Sequence, residues 1–140
     1  MATVHETYDF DVPVERLYEY LSVHENLKTL FGIDVERISE GSVEPNGVGA
    51  VRKLSFKGLG AFEETITEAV PNERIEYRIT KGSPLRDHHG IMVFSSTAAL
   101  GSHLDYTINF DAAVPGLARA VAAGLSKSLQ RGFPKVAREL

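Results

Sequence analysis

After Pro115 a single apolar stripe, Leu117, Val121, Leu125, Leu129, Phe133, Val136 and Leu140, recurs at helical spacing to the last residue. Before it, from Ile33 to Ala112, every signal is a short strand followed by a turn. Strands in unbroken succession pair antiparallel, because parallel pairing needs a long crossover between partners. The spacing predicts strands near 33–39, 48–57, 60–70, 74–81, 88–98 and 102–112, with turns at "EPNG", at Gly58 and Gly60, at "VPNE", at "KGSP" and at "AALG". Only the terminal helix is long enough to cover one face of such a sheet, so the sheet must twist around it. The class that follows is α+β. Pro134 lies inside the helical stripe and removes one backbone bond, so a kink or loosening is expected there.

The N-terminus completes the order. Val4, Tyr8, Phe10 and Val12 share the parity of a half-buried strand, with Glu6 on the same side. Pro13 suits a first helical turn, and Val14, Leu17, Tyr18 and Leu21 follow as one stripe. A second short helix, about His24 to Phe31, buries Leu27, Leu30 and Phe31 and stops at Gly32. With no repeat and no low-complexity linker, 140 residues read as one domain over 1–140.

A sheet of seven strands wrapped on one helix leaves room wherever the helix carries small side chains. The middle of this helix is "AVAAGLSKS", Ala120 to Ser128. Two readings stand side by side: the small residues let the helix lie close to the sheet, or they leave a cavity beside it.

Composition removes several function classes. The net charge of −4 is interspersed rather than blocked, so no basic face presents itself to nucleic acid or to anionic lipid. There is no cysteine, hence no disulfide, thiolate metal site or cysteine nucleophile. No stretch approaches the roughly 20 apolar residues of a membrane span, and the first residues lack the apolar run of a secretory signal, which points to a soluble, cytoplasmic protein without stable membrane insertion. GxSxG, HExxH and a phosphate-binding glycine loop opening a helix are absent; "GVGAV" runs into a strand instead. His88 and His89 are adjacent, point to opposite faces of a strand and cannot chelate one ion together, so no metal site is expected. The sequence carries no information on oligomeric state.

The chain resembles the START-like, Bet v 1-like (SRPBCC) helix-grip superfamily, in particular its polyketide cyclase/dehydrase and lipid-transport group. The likeness rests on the element order, on "VPVERLYEYLSVHENLKTLF" (Val12 to Phe31), "GVGAVRKLSF" (Gly47 to Phe56), "EETITEAVPNERIEYRITKG" (Glu63 to Gly82) and the terminal helix. It implies a seven-stranded antiparallel sheet around a long C-terminal helix, with two short helices between the first two strands. It also implies a hydrophobic or aromatic small-molecule ligand and no cofactor. "KGLGAF" (Lys57 to Phe62) and "SPLRDHH" (Ser83 to His89) further resemble the mobile loops over the pocket of plant abscisic-acid receptors, with Gly60 and Pro84 departing from that pattern. Two loops at a pocket mouth are the expectation.

Inward parity selects the candidate chemistry. Phe62 and Ile66 face the core, which places Glu64 with them and Glu63, Thr65 and Thr67 toward water, unless a bulge turns Glu64 out. Ile75, Tyr77 and Ile79 face in on the next strand, and Leu104, Tyr106, Ile108 and Phe110 on the last. On the strand between them His88 shares parity with Met92 and Phe94, His89 with Ile91 and Val93; the loop resemblance favours His88 as the inward residue. Arg52 has the parity of Leu54 and Phe56 and either reaches the pocket or snorkels at the sheet edge. A tight "VPNE" hairpin sets Ile66 opposite Tyr77 and Glu64 opposite Ile79, with His88 beyond Ile79 on the same rung. Two strand spacings then hold Glu64 and His88 roughly 9–10 Å apart, out of contact.

The function that the resemblance implies is binding or transport of a hydrophobic or aromatic, lipid- or polyketide-like molecule in a cavity between sheet and last helix. The expected ligand-binding residues are Arg52, Glu64, Tyr77, Ile79, His88, Met92, Tyr106, Ile108, Val121, Gly124 and Leu125. The alternative is a polyketide cyclase or dehydratase in which Glu64 or His88 moves a proton. A third reading uses the loops to dock on another protein. Few inward ionisable groups favour binding over catalysis.

Overall fold

The computed structural model describes residues 1–58 and 60–140. Its elements are β1 (Ala2–Phe10), α1 (Val14–Ser22), α2 (Leu27–Phe31), β2 (Asp34–Ser39), β3 (Val51–Phe56), β4 (Gly60–Val70), β5 (Arg74–Lys81), β6 (Leu85–Ser96), β7 (Ser102–Ala112) and α3 (Leu117–Glu139). The strands form one antiparallel sheet in the order β1-β7-β6-β5-β4-β3-β2. Helices α1 and α2 carry the chain from one edge of the sheet to the other, and α3 packs across the concave side: the α+β helix-grip arrangement.

Local chemistry explains the joints. The Pro13 carbonyl accepts from the N–H groups of Arg16 and Leu17, opening α1, whose Val14, Leu17 and Leu21 are buried. A single 3-10 turn, His24–Asn26, precedes α2. Gly32 closes α2 at φ 68°, where its N–H reaches the Lys28 carbonyl at 2.8 Å, a left-handed position that glycine adopts without strain.

Several boundaries differ from the sequence expectation. Strand β3 starts at Val51 rather than 48, because Gly49 and Ala50 still belong to a loop pinned by backbone bonds to Ile66. The hairpin after β4 pairs Val70 with Arg74, one residue wider than a tight "VPNE" turn, with Asn72 at φ 66°. A register shift between Ile66 and Glu68 then takes up the extra residue, so Ile66 still faces Tyr77 and Glu64 still faces Ile79. Strand β6 begins at Leu85, three residues early, and its register on β7 shifts between Arg86 and His89 around Asp87 at φ 52°. Helix α3 runs through Pro134 to Glu139, in keeping with an apolar stripe that continues past the proline.

The terminal apolar stripe is not uniformly buried. Leu129, Gly132, Phe133 and Val136 are buried, whereas no residue of α3 before Leu129 is. The Phe133 ring lies 5.4 Å from that of Tyr8 and 6.3 Å from that of Phe10, on β1. Gly132 meets α2 so closely that a Cβ there would stand 1.8 Å from the Leu30 carbonyl oxygen.

Candidate ligand-binding site

Where the first half of α3 stands off the sheet, a cavity of about 380 Å³ opens between them. Ala120, Val121, Gly124, Leu125 and Ser128 form its helical wall, with Leu117 at the start of the helix. Nothing lies within 4 Å of where a Gly124 Cβ would be. The small residues therefore border open space here rather than bringing helix and sheet together.

The sheet wall is mostly apolar: Leu54, Phe56, Phe62, Ile79 and Ile108, with Phe31 from the end of α2. Phe56 and Phe62 stack nearly parallel, centroids 5.1 Å apart, beside the β3–β4 turn. Ser83, Pro84 and Leu85 close the opposite rim. Of the two expected rim segments, Ser83 to Leu85 is in place; Lys57 to Phe62 contributes Phe62, while Leu59 lies outside the described residues.

The ionisable side chains of the wall, Glu64, Tyr77 and His88, gather in one cluster. Arg52 and Glu64 face each other across β3 and β4, both buried, and the Arg52 Nε–H donates to Glu64 Oε1 at 2.9 Å. The Arg52 guanidinium also sits 4.5 Å from the Tyr77 ring centroid, a cation–π contact that supports its charge away from water. Burial pushes the Glu64 carboxyl above the usual carboxylate range, and the Arg52 guanidinium opposes that rise. The Tyr77 hydroxyl pairs with that of Tyr106, and burial holds both phenols well above their ordinary range. Gly90, opposite Tyr77 in the β5–β6 ladder, lies under the ring: a Cβ there would stand 2.1 Å from Tyr77 Cζ.

His88 is buried and faces inward; His89 faces out to a Glu76 carboxylate oxygen. The Ile79 N–H donates to His88 Nδ1 at 3.0 Å, so the neutral ring carries its proton on Nε2. Burial first, and then the Arg52 charge, lower its pKa to about 4. Its Nε2 lies 3.7 Å from Glu64 Oε2. The expected separation of roughly 9–10 Å was a spacing between strands. The side chains close it by leaning toward each other over the same face of the sheet.

Of the residues expected to contact a ligand, Glu64, Tyr77, Ile79, His88, Ile108, Val121, Gly124 and Leu125 line the cavity. Arg52, Met92 and Tyr106 do not. Arg52 is the hydrogen-bond partner of Glu64, and Met92 and Tyr106 are buried in the core. Sequence parity separates inward from outward but cannot say how far along a strand the cavity extends. The residues it passed over include Phe31, at the end of a short helix, whose apolar stripe was its only signal.

A model of the family described as "Polyketide cyclase / dehydrase and lipid transport" matches residues 1–140. The chain belongs to that family. The resemblance drawn from the sequence is thereby confirmed. A START superfamily protein from Mycobacterium smegmatis superposes with a TM-score of 0.79 at 11% identity, over 98% of this chain and 95% of that one. A protein from Thermobifida fusca gives 0.75 at 15% identity, over 98% and 91%. DynU16, a protein in the dynemicin biosynthetic locus, gives 0.68 at 16% identity, over 97% of this chain and 46% of its own. Such identities establish the fold alone. No curated protein matches. Among the described residues no helix is long and apolar enough to cross a membrane, and no cluster of His, Asp or Glu could hold a metal ion.

Proposed function

We propose that this family member binds or carries a hydrophobic or aromatic small molecule in the cavity under α3, working as one domain in the cytoplasm. The observation that carries the reading is the wall itself: about 380 Å³ lined by aliphatic and aromatic side chains, with Glu64 and His88 gathered at one end. Apolar walls with a few convergent polar groups are the usual form of a small-molecule site. Binding fits this site better than proton transfer. His88 already holds its proton on Nε2, and its Nδ1 accepts the Ile79 N–H, which leaves no free base on the ring. Glu64 is tied to Arg52 at 2.9 Å. The cyclase or dehydratase alternative requires one of them to exchange a proton with the ligand, and it is the second reading.

The test is titration with Nile red, a neutral lipophilic dye, followed by displacement with apolar aromatic compounds and recovery of the competitor. Saturable, displaceable fluorescence with the competitor recovered unchanged supports binding. Absence of any saturable signal overturns the reading, and a chemically altered competitor favours catalysis.

A further inference from the structure

We propose that the cavity selects ligands bearing a neutral hydroxyl, an alcohol or a phenol, which sits in the gap between His88 and Glu64; this rests on the binding reading above. The gap has a defined polarity. His88 Nε2–H is a donor, because Nδ1 is occupied by the Ile79 N–H. Glu64 Oε2 is an acceptor, because Arg52 engages the other oxygen. Among the described residues neither Nε2 nor Oε2 has a hydrogen-bond partner, and both residues line the cavity. They stand 3.7 Å apart, too far to bond each other. An oxygen on the cavity side, at about 2.8 Å from each, closes the triangle with ordinary hydrogen-bond lengths. That oxygen must accept from His88 and donate to Glu64, and a hydroxyl does both through one atom.

Other head groups satisfy half of the gap or less. An ether or ketone accepts from His88 but leaves the buried Glu64 oxygen without a donor, and an unmet buried acceptor is costly. A carboxylate places a second negative charge against Glu64. None of the lining residues is Lys or Arg, and the nearby cation, Arg52, is bonded to Glu64. An ammonium group pairs with Glu64 but meets the His88 N–H donor to donor. The lowered proton affinity of His88 keeps it in this neutral, donating form at pH 7. Apart from the Ser83 and Ser128 hydroxyls, the rest of the wall asks for an apolar body.

The experiment uses the wild-type chain and four probes with one ring system: naphthol, methoxynaphthalene, naphthalene and naphthoate, each measured by calorimetry at pH 7. Naphthol is expected to bind about tenfold more tightly than methoxynaphthalene or naphthalene, the difference made by one satisfied pair of hydrogen bonds, and naphthoate weakest of all. In His88→Phe the preference for naphthol over methoxynaphthalene should fall to less than about threefold while naphthalene still binds. Glu64→Gln leaves Arg52 buried without its counter-charge, so the double variant Arg52→Met/Glu64→Gln is the second arm. It should relieve the rejection of naphthoate. Equal affinity of the first three probes, or naphthoate binding best, overturns the hydroxyl assignment and leaves cavity binding intact. If no probe binds, the cavity reading falls and this assignment with it.

Discussion

The two halves of α3 are one continuous helix with opposite jobs. From Leu129 to Val136 it is an ordinary core element: Leu129, Phe133 and Val136 are buried, and Gly132 presses on the Leu30 carbonyl. From Leu117 to Ser128 the same apolar spacing continues, yet Leu117, Val121 and Leu125 are only half-buried and face an opening. The difference lies in what stands opposite. The second half packs on α2 and β1, where Phe10 and Tyr8 meet Phe133. The first half faces β3 to β7, where the wall includes Glu64 and His88 and space remains. A glycine means contact in one half and vacancy in the other.

The sharpest way to break this contrast is to truncate one apolar residue in each half. Phe133→Ala removes a buried ring from a packed cluster and should cost about 3–5 kcal/mol of unfolding free energy. Val121→Ala removes methyl groups that already border open space and should cost less than about 1 kcal/mol. Denaturant unfolding of both variants measures the difference. Similar losses for the two would mean that the first half of α3 is packed as firmly as the second.

The buried histidines sharpen the comparison through pH. His88 faces the cavity, and His24, in the turn between α1 and α2, is buried with neither ring nitrogen partnered among the described residues. Burial is the first cause that lowers each pKa from 6.5 to about 4, with the Arg52 charge second. The folded protein therefore binds these protons less readily than the unfolded chain. Stability is full above pH 6.5 and is lost as pH falls from 6.5 toward about 4, by at most about 3 kcal/mol for each histidine. Glu64, with its pKa raised, contributes in the opposite sense, losing stability as pH rises through and above 4.5. His24→Leu and His88→Leu should each flatten the acid limb in denaturation measured from pH 7 to pH 4. A limb unchanged in both variants rules out this origin. A bound apolar ligand should lower the apparent protonation of His88 further and leave His24 unaffected.

What was legible in the sequence follows the same division. Element order and strand parity came through because alternation and helical spacing are properties of neighbouring residues: Glu64 opposite Ile79 and His88 inward both stand as read. The Glu64 register survived two departures that cancel, a hairpin one residue wider and a bulge before Glu68. Distances did not come through. Parity does not say how far two long side chains lean, and leaning brings Glu64 and His88 to 3.7 Å. Arg52 and Tyr106 have inward parity and still miss the cavity; Glu64, bonded to Arg52, and Tyr77, bonded to Tyr106, line it instead. Gly90 and Gly132 carry no hydrophobic signal, and their roles depend on Tyr77 and Leu30, far away in the chain.

The two helical glycines give the most local test. A Cβ at Gly132 would lie 1.8 Å from the Leu30 carbonyl oxygen and 2.7 Å from its carbon, so Gly132→Ala forces α3 away from α2. Backbone is the obstacle, and it yields less readily than a side chain; a loss of about 1–3 kcal/mol is expected. At Gly124 nothing stands within 4 Å, and alanine is the better helix former, so Gly124→Ala should gain about 0.5–1 kcal/mol. Gly124→Leu carries the contrast into function. Its Cβ meets nothing within 4 Å, so the larger side chain should add little or no instability and occupy the cavity that Gly124 borders. Nile red affinity should drop about tenfold in a protein whose unfolding midpoint does not fall. If Gly124→Leu instead destabilises as Gly132→Ala does, the space beside the first half of α3 closes in solution and the two halves are alike. If it is stable and binds the dye as well as wild type, the ligand lies elsewhere.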